Sequence, residues 1–135
     1  MRVGYAVAHP RVAACIEDRR TTSTVGSAAA LAASAALDDA EHLRVVVARL
    51  VDDRQEFYNQ ANARMLRVID SHANFVMLNT ARRAADIVQH FERNGVALPA
   101  PFSPLDEYIR VTIGPSEDMT EFWRVWDLMS LPHTA

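Results

Sequence analysis

Arg110 stands in the middle of an alternating run, with Ile109, Val111 and Ile113 facing one way and Arg110 and Thr112 the other. Successive side chains of a strand point to opposite faces, so the apolar set defines a core side and Arg110 projects away from it. A guanidinium placed there needs a partner or a cleft. Its planar fork can hold a carboxylate through two parallel hydrogen bonds. Two readings follow from the pattern: a grip for a carboxylate ligand, or an exposed strand arginine paired with an Asp or Glu of the same chain.

The other candidates offer less. Asp70-Ser71-His72 sets the residue types of a hydrolytic triad side by side, but three consecutive residues cannot converge on one atom, and no G-x-S-x-G occurs. The run reads as a turn, with a hydrolase using Ser71 and His72 as the alternative from another enzyme class. The five His form no i, i+4 pair and no H-E-x-x-H, and Cys15 is the only cysteine, so neither a metal site nor a disulfide is expected. Cys15 itself reads as a small buried hydrophobe on an early helix. Trp123 and Trp126, at helical spacing, read as core or interface anchors.

The 135 residues carry 14 basic and 17 acidic side chains, a net charge of -3, and every basic one is Arg. Without Lys the chain has no side-chain amine for Schiff-base chemistry, for a phosphate-gripping P-loop or for a lysine general base. The acidic balance gives no electrostatic reason for a nucleic-acid partner. With 50% apolar residues, one domain can bury a core. The apolar stretch 3–8 is too short for a signal peptide, and the Ala-rich run 27–37 too short and weakly apolar for a bilayer span. A cytoplasmic chain without membrane partners is the expectation.

The elements that would position Arg110 can be read from periodicity. Val3, Tyr5 and Val7 alternate with small residues as in a strand, and Pro10 opens a short helix over 11–20. An Ala-rich helix covers 27–37. Asp38 and Asp39 mark the start of a long helix in which Leu43, Val46, Val47, Leu50, Phe57, Tyr58 and Ala61 recur at helical spacing. The period then changes, predicting strands over 65–69 and 73–78. A helix follows with Ala81, Ala84, Ala85, Val88 and Phe91 on one face, ended by Asn94-Gly95. Residues 96–98 read as a short edge strand stopped by prolines, and 108–113 as the clearest strand. Ser116 can cap a last helix whose apolar face is Met119, Phe122, Trp123, Trp126 and Met129. The pattern predicts an α+β protein: a small open sheet covered by helices, preceded by a long helix and by a strand and helices.

Four segments, taken in order, carry a family resemblance: R-V-G-Y-A-V-A at 2–8, S-H-A-N-F-V at 71–76, N-G-V at 94–96 and I-R-V-T-I-G at 109–114. Together the chain resembles the C-terminal part of a class I/II, fold-type I, pyridoxal-phosphate aminotransferase, of the histidinol-phosphate type. The resemblance implies that Arg2 binds the cofactor phosphate, that Arg110 holds the substrate α-carboxylate, and that Asn74 lines the small-domain side of the site. It implies a remnant of the large cofactor domain over 1–37, the interdomain helix over 38–62 and the small domain over 63–135. The family's cofactor lysine, stacking aromatic and ring-pairing Asp all lie upstream of the matched region, so the chain is expected to be truncated, without covalently bound cofactor, and inactive as a transaminase alone. Where the family often has an Arg after the G-V pair, Ala97-Leu98-Pro99 stands here. The alternatives are a stand-alone module that binds a carboxylate or amino acid, an oligomerisation module, or a repurposed enzyme. A strand at 3–8 without its large sheet would leave unpaired edges, so self-association through the N-terminal segment is expected.

Overall fold

The computed structural model describes residues 3–21 and 25–129. It divides into two compact units, Met1–Val46 and Val47–Ala135, and the division falls inside the longest helix.

The second unit is built on a three-stranded antiparallel sheet, β1 (Arg67–Ile69), β2 (Phe75–Asn79) and β3 (Tyr108–Thr112), in the order β1-β2-β3. The register places Val68 opposite Leu78, Leu78 opposite Ile109, and Val76 opposite Val111. These residues point to one face, where they form a single core with side chains from three helices. Phe57 and Ala61 come from α3 (Ala40–Ala63), Ala84, Ile87 and Phe91 from α4 (Ala84–Arg93), and Phe122, Trp123 and Val125 from α5 (Ser116–Asp127). Period-2 strands supply one apolar face and the helices one stripe each, which is the condition for a layered α+β fold.

α4 ends as its sequence predicts. The Val96 N–H donates to the Phe91 carbonyl and the Gly95 N–H to Glu92, with Gly95 at φ 81°. This is a Schellman closure, and glycine takes the left-handed position without a Cβ penalty. α3 closes in the same way, with the Leu66 N–H on the Ala61 carbonyl and the Met65 N–H on Asn62, yet here Met65 occupies the left-handed position at φ 57°. Met65 is 92% exposed, so its side chain returns no packing for that strain. Met65→Gly is therefore expected to stabilise the fold by about 1 kcal/mol, less the extra chain entropy of glycine. Urea denaturation checks this, and a midpoint that fell would contradict it.

Several sequence expectations are corrected. Residues 96–98 form no strand, although Val96 and Leu98 pack on the core while Ala97 is exposed. The alternation was there; the backbone ladder that makes a strand was not. The helix expected from Ala81 begins at Ala84, because Ala81 takes φ 50° and its N–H is held by the Asn79 Oδ1 at 2.8 Å. Its buried face is Ala84, Ile87 and Phe91, with Ala81 and Ala85 outside. Ser116 is the first residue of α5, not its side-chain cap. Asp39 does cap α3, accepting the His42 N–H at 3.0 Å.

The first unit holds α1 (Pro10–Glu17), α2 (Ser27–Asp38) and the start of α3. Pro10 lies in the first turn of α1, as expected. The predicted strand over 3–8 is not formed: among the described residues no backbone hydrogen bond pairs this segment with another. Cys15 is exposed, not buried, because α1 buries no residue at all. Leu43 and Val46, predicted on the apolar stripe of α3, are exposed, as is Val47 just beyond the division. Among the described residues of this unit only Ala29 is buried. No described helix is long and apolar enough to cross a membrane.

Candidate functional site: the open face of the sheet

The face of the sheet opposite the core is not covered by the three helices that build that core. Alternation and register put Arg67, Asn79 and Tyr108 in one row, Ile69, Met77 and Arg110 in the next, and Phe75 beside Thr112 in the last. These rows contain two arginines and no acidic residue, although the whole chain is net acidic.

Arg110 occupies the centre of β3 on this face and is exposed. Its Cζ lies 4.2 Å from the centroid of the Phe75 ring, its diagonal cross-strand neighbour. Stacking on an aromatic face holds a guanidinium in place while its N–H edges stay free to meet an acceptor. Among the described residues Arg110 has no ion pair, so the second reading, an Arg matched to an Asp or Glu of its own chain, does not describe it. What remains is a propped, directed cation on a surface without carboxylates.

Asn74 lies just ahead of β2, opposite Ile113, whose N–H donates to the Asn74 carbonyl at 2.9 Å. It is exposed, and three register positions, roughly 10 Å along the strand, separate it from the row of Arg110. The two residues share one sheet without being neighbours. Arg2 lies outside the described residues. Phe75, which orders Arg110, was not singled out from the sequence. Its part depends on a diagonal pairing that only the register reveals.

Ser71 is committed elsewhere. Its hydroxyl donates to the Phe75 carbonyl at 2.7 Å and accepts the Ala73 N–H at 3.1 Å, while the Ser71 N–H donates to the Tyr58 hydroxyl. A hydroxyl that closes a turn in this way is not a nucleophile facing a base, and the turn reading of Asp70-Ser71-His72 holds. A groove of about 500 Å³ lined by Leu66, Thr80, Ala81, Trp126 and Met129 does not include Arg110 in its wall. Arg64, also at that groove, is saturated by Asp127, which accepts from it at 2.8 and 2.6 Å. Among the described residues no three His, Cys, Asp or Glu stand close enough to share a metal.

The sheet is covered by helices on one side and carries the stacked Arg110 on the other, a layered α+β arrangement. The family described as aminotransferase class I and II matches residues 1–125, and the chain belongs to that family. Within it, the chain is similar to histidinol-phosphate aminotransferases. Histidinol-phosphate aminotransferase 2 of Carboxydothermus hydrogenoformans is 37% identical over 116 residues, covering 84% of this chain and 32% of that protein. The histidinol-phosphate aminotransferase of Symbiobacterium thermophilum is 33% identical over 122 residues, covering 90% and 34%. A solved structure from Erwinia carotovora atroseptica, assigned to the same enzymes, superposes with a TM-score of 0.73 at 26% identity, covering 94% of this chain and 36% of that one. A second, the Sinorhizobium meliloti enzyme in complex with pyridoxal-5'-phosphate, shares the fold with a TM-score of 0.67. The chain thus spans about a third of the length of the relatives it matches.

The family depends on pyridoxal phosphate, and the donor set of this chain does not fit that group as a covalent cofactor. All 14 of its basic side chains are Arg, so it brings no side-chain amine to the cofactor aldehyde. Arg110 brings a guanidinium, which does not react with that aldehyde as an amine does.

Proposed function

We propose that this chain supplies the carboxylate-holding third of an aminotransferase-type site and does not transaminate by itself. The observation that supports this most is Arg110: exposed on the open face, propped over Phe75 and without an acidic partner among the described residues. The substrate class is an amino acid or 2-oxo acid, bound through its α-carboxylate by the Arg110 fork. The remaining chemistry, an amine that captures the substrate as an imine and an acid that tunes the cofactor ring, belongs to residues of the kind found in the other two-thirds of the relatives. The exposed, unpaired Cys15 suits a reducing, cytoplasmic setting.

Titration calorimetry with amino acids and simple carboxylates tests the grip. Wild type is expected to bind carboxylates weakly, and Arg110→Ala to weaken that binding at least tenfold. Equal binding by both proteins, or none by the wild type, overturns it. Mixing the chain with pyridoxal phosphate and an amino donor tests the second half. No turnover is expected, and a stoichiometric borohydride-fixed adduct accompanied by turnover would refute the reading.

A carboxylate-binding module without any catalytic partner is the second reading, favoured by the same unpaired Arg110. Adding a polypeptide that carries the family's large domain separates the two. Restored transamination supports the first reading, and binding without any restored activity supports the second.

A further inference from the structure

We propose that Met77 and Ile69, which share the open-face row of Arg110, form a specificity floor that takes the side chain of the bound acid and selects an aliphatic one. The inference rests on the carboxylate reading of Arg110 and adds the substrate class to it. The Ile113 N–H donates to the Asn74 carbonyl at 2.9 Å, and the Thr80 N–H to the Glu107 carbonyl at 2.8 Å. Hydrogen-bonded and non-hydrogen-bonded pairs alternate along an antiparallel ladder, and these two bonds fix the alternation between β2 and β3. Met77 and Arg110 therefore face each other as a non-hydrogen-bonded pair, in which Cα atoms lie about 4.5 Å apart and side chains are closest. Ile69 stands opposite Met77 on β1 and completes the row.

Both side chains are spare apolar surface. Neither belongs to the core or packs against it: Met77 is half-buried and Ile69 is 44% exposed. The Phe75 ring is already taken by the Arg110 guanidinium. A carboxylate on the N–H edge of that guanidinium thus has Met77 as its apolar neighbour, with Ile69 roughly 10 Å from Arg110 across two strand spacings. An aliphatic chain running from the carboxylate along this row covers both. Methionine suits such a floor, because its unbranched thioether adapts to chains of different shape.

Charge weighs against the alternatives. Arg67 stands in the next row, and none of the paired positions of this face is acidic, so a cationic side chain meets only positive charge. An anionic one would have to cross the apolar row to reach Arg67 on the edge strand. The register of the sheet fixes this row beside Arg110, whatever residues close the site from the other side.

Titrating the full chain with acetate, hexanoate, glutarate and ε-aminocaproate, followed by NMR, tests the floor. A methylene half removed from water gains about twofold in affinity, so hexanoate is expected to bind about tenfold more tightly than acetate. Hexanoate protons are expected to show a nuclear Overhauser contact with the Met77 methyl group. Met77→Thr and Ile69→Thr, which keep strand propensity, are each expected to lower the hexanoate-to-acetate ratio to about threefold. Glutarate and ε-aminocaproate are expected to bind more weakly than hexanoate. A ratio near one, or one that both threonine variants leave unchanged, overturns the floor and leaves an Arg110-dependent grip on acetate standing. Glutarate as the tightest ligand assigns the face to a second anion at Arg67 and overturns the floor as well. Acetate bound equally by wild type and Arg110→Ala, or by neither, removes the grip and the floor together.

Discussion

Phe122→Ala is expected to destabilise the sheet-and-helix unit by about 3–5 kcal/mol, the cost of emptying a fully packed aromatic site. Phe122 is 2% exposed, and its ring contacts four other aromatic side chains: Phe57 at 5.7 Å, Phe91 at 4.9 Å, Trp123 at 5.0 Å and Trp126 at 6.5 Å between centroids. It therefore joins α3, α4 and α5 at one point above the sheet. The vacated space cannot collapse easily, because the neighbours are rigid rings on three separate helices. Domains of this size hold about 5–15 kcal/mol in total, so the loss is a large fraction of stability and should lower the melting temperature by about 15 °C or more. Near-ultraviolet circular dichroism of the two tryptophans follows the transition. A loss under about 1 kcal/mol would mean that the aromatic cluster is not the centre of this core. Leu31→Ala, at a position 72% exposed in the first unit, serves as the contrast and is expected to change the same transition little.

Arg64→Ala is expected to cost about 1–2 kcal/mol and to change the acid limb of the stability profile. Arg64 fastens the end of α3 to the end of α5. Its guanidinium reaches Asp127 through two hydrogen bonds, lies 4.6 Å over the Trp123 ring and donates to the Gln60 carbonyl. Asp127 is more than half exposed, so solvent screening holds the ion-pair share to a fraction of the total, and the stacking on Trp123 supplies much of the rest. The hydrogen bonds from Arg64 hold the Asp127 carboxyl below its ordinary value. A carboxyl with a lowered folded-state pKa stabilises the fold above its unfolded value, near 3.9, and loses that contribution as pH falls through the folded value. Asp127→Asn should therefore narrow its gap to wild type on acidification and leave a constant gap at neutral pH. Glu56 and Glu121 are held low by Gln60 and by Arg124 respectively, so the difference between the two proteins, not the wild-type curve, is the quantity to measure. A gap independent of pH between 2 and 5, a range spanning the ordinary carboxylate value of about 3.9, would assign the effect to packing alone.

Much of the element order was legible because burial imposes a period. Ile109, Val111 and Ile113 had to share a face, so β3 and the outward direction of Arg110 followed from their spacing. The Schellman end of α4 could be read from Gly95, whose type matches its left-handed backbone. The identical closure of α3 could not, because Met65 gives no sign of it. The edge strand at 96–98 and the strand at 3–8 failed for a shared reason: alternation reports which side chains face the core, while a strand also needs a neighbour to complete its ladder. Cys15 failed differently, since a small apolar residue is buried only if its helix has something to lie against, and among the described residues α1 buries none of its own.

The sequence by itself determined the residue inventory: an arginine without competing charges in a strand, a chain with no lysine, and a family whose chemistry needs one. Local spacing was enough, because residue types and short-range periodicity do not depend on distant parts of the chain. Only the tertiary structure decided that Phe75 lies under Arg110, that no described carboxylate neutralises it, and that Arg64 meets Asp127 sixty-three positions away. Those contacts depend on strand register and helix packing, which bring together residues whose separation along the chain carries no signal.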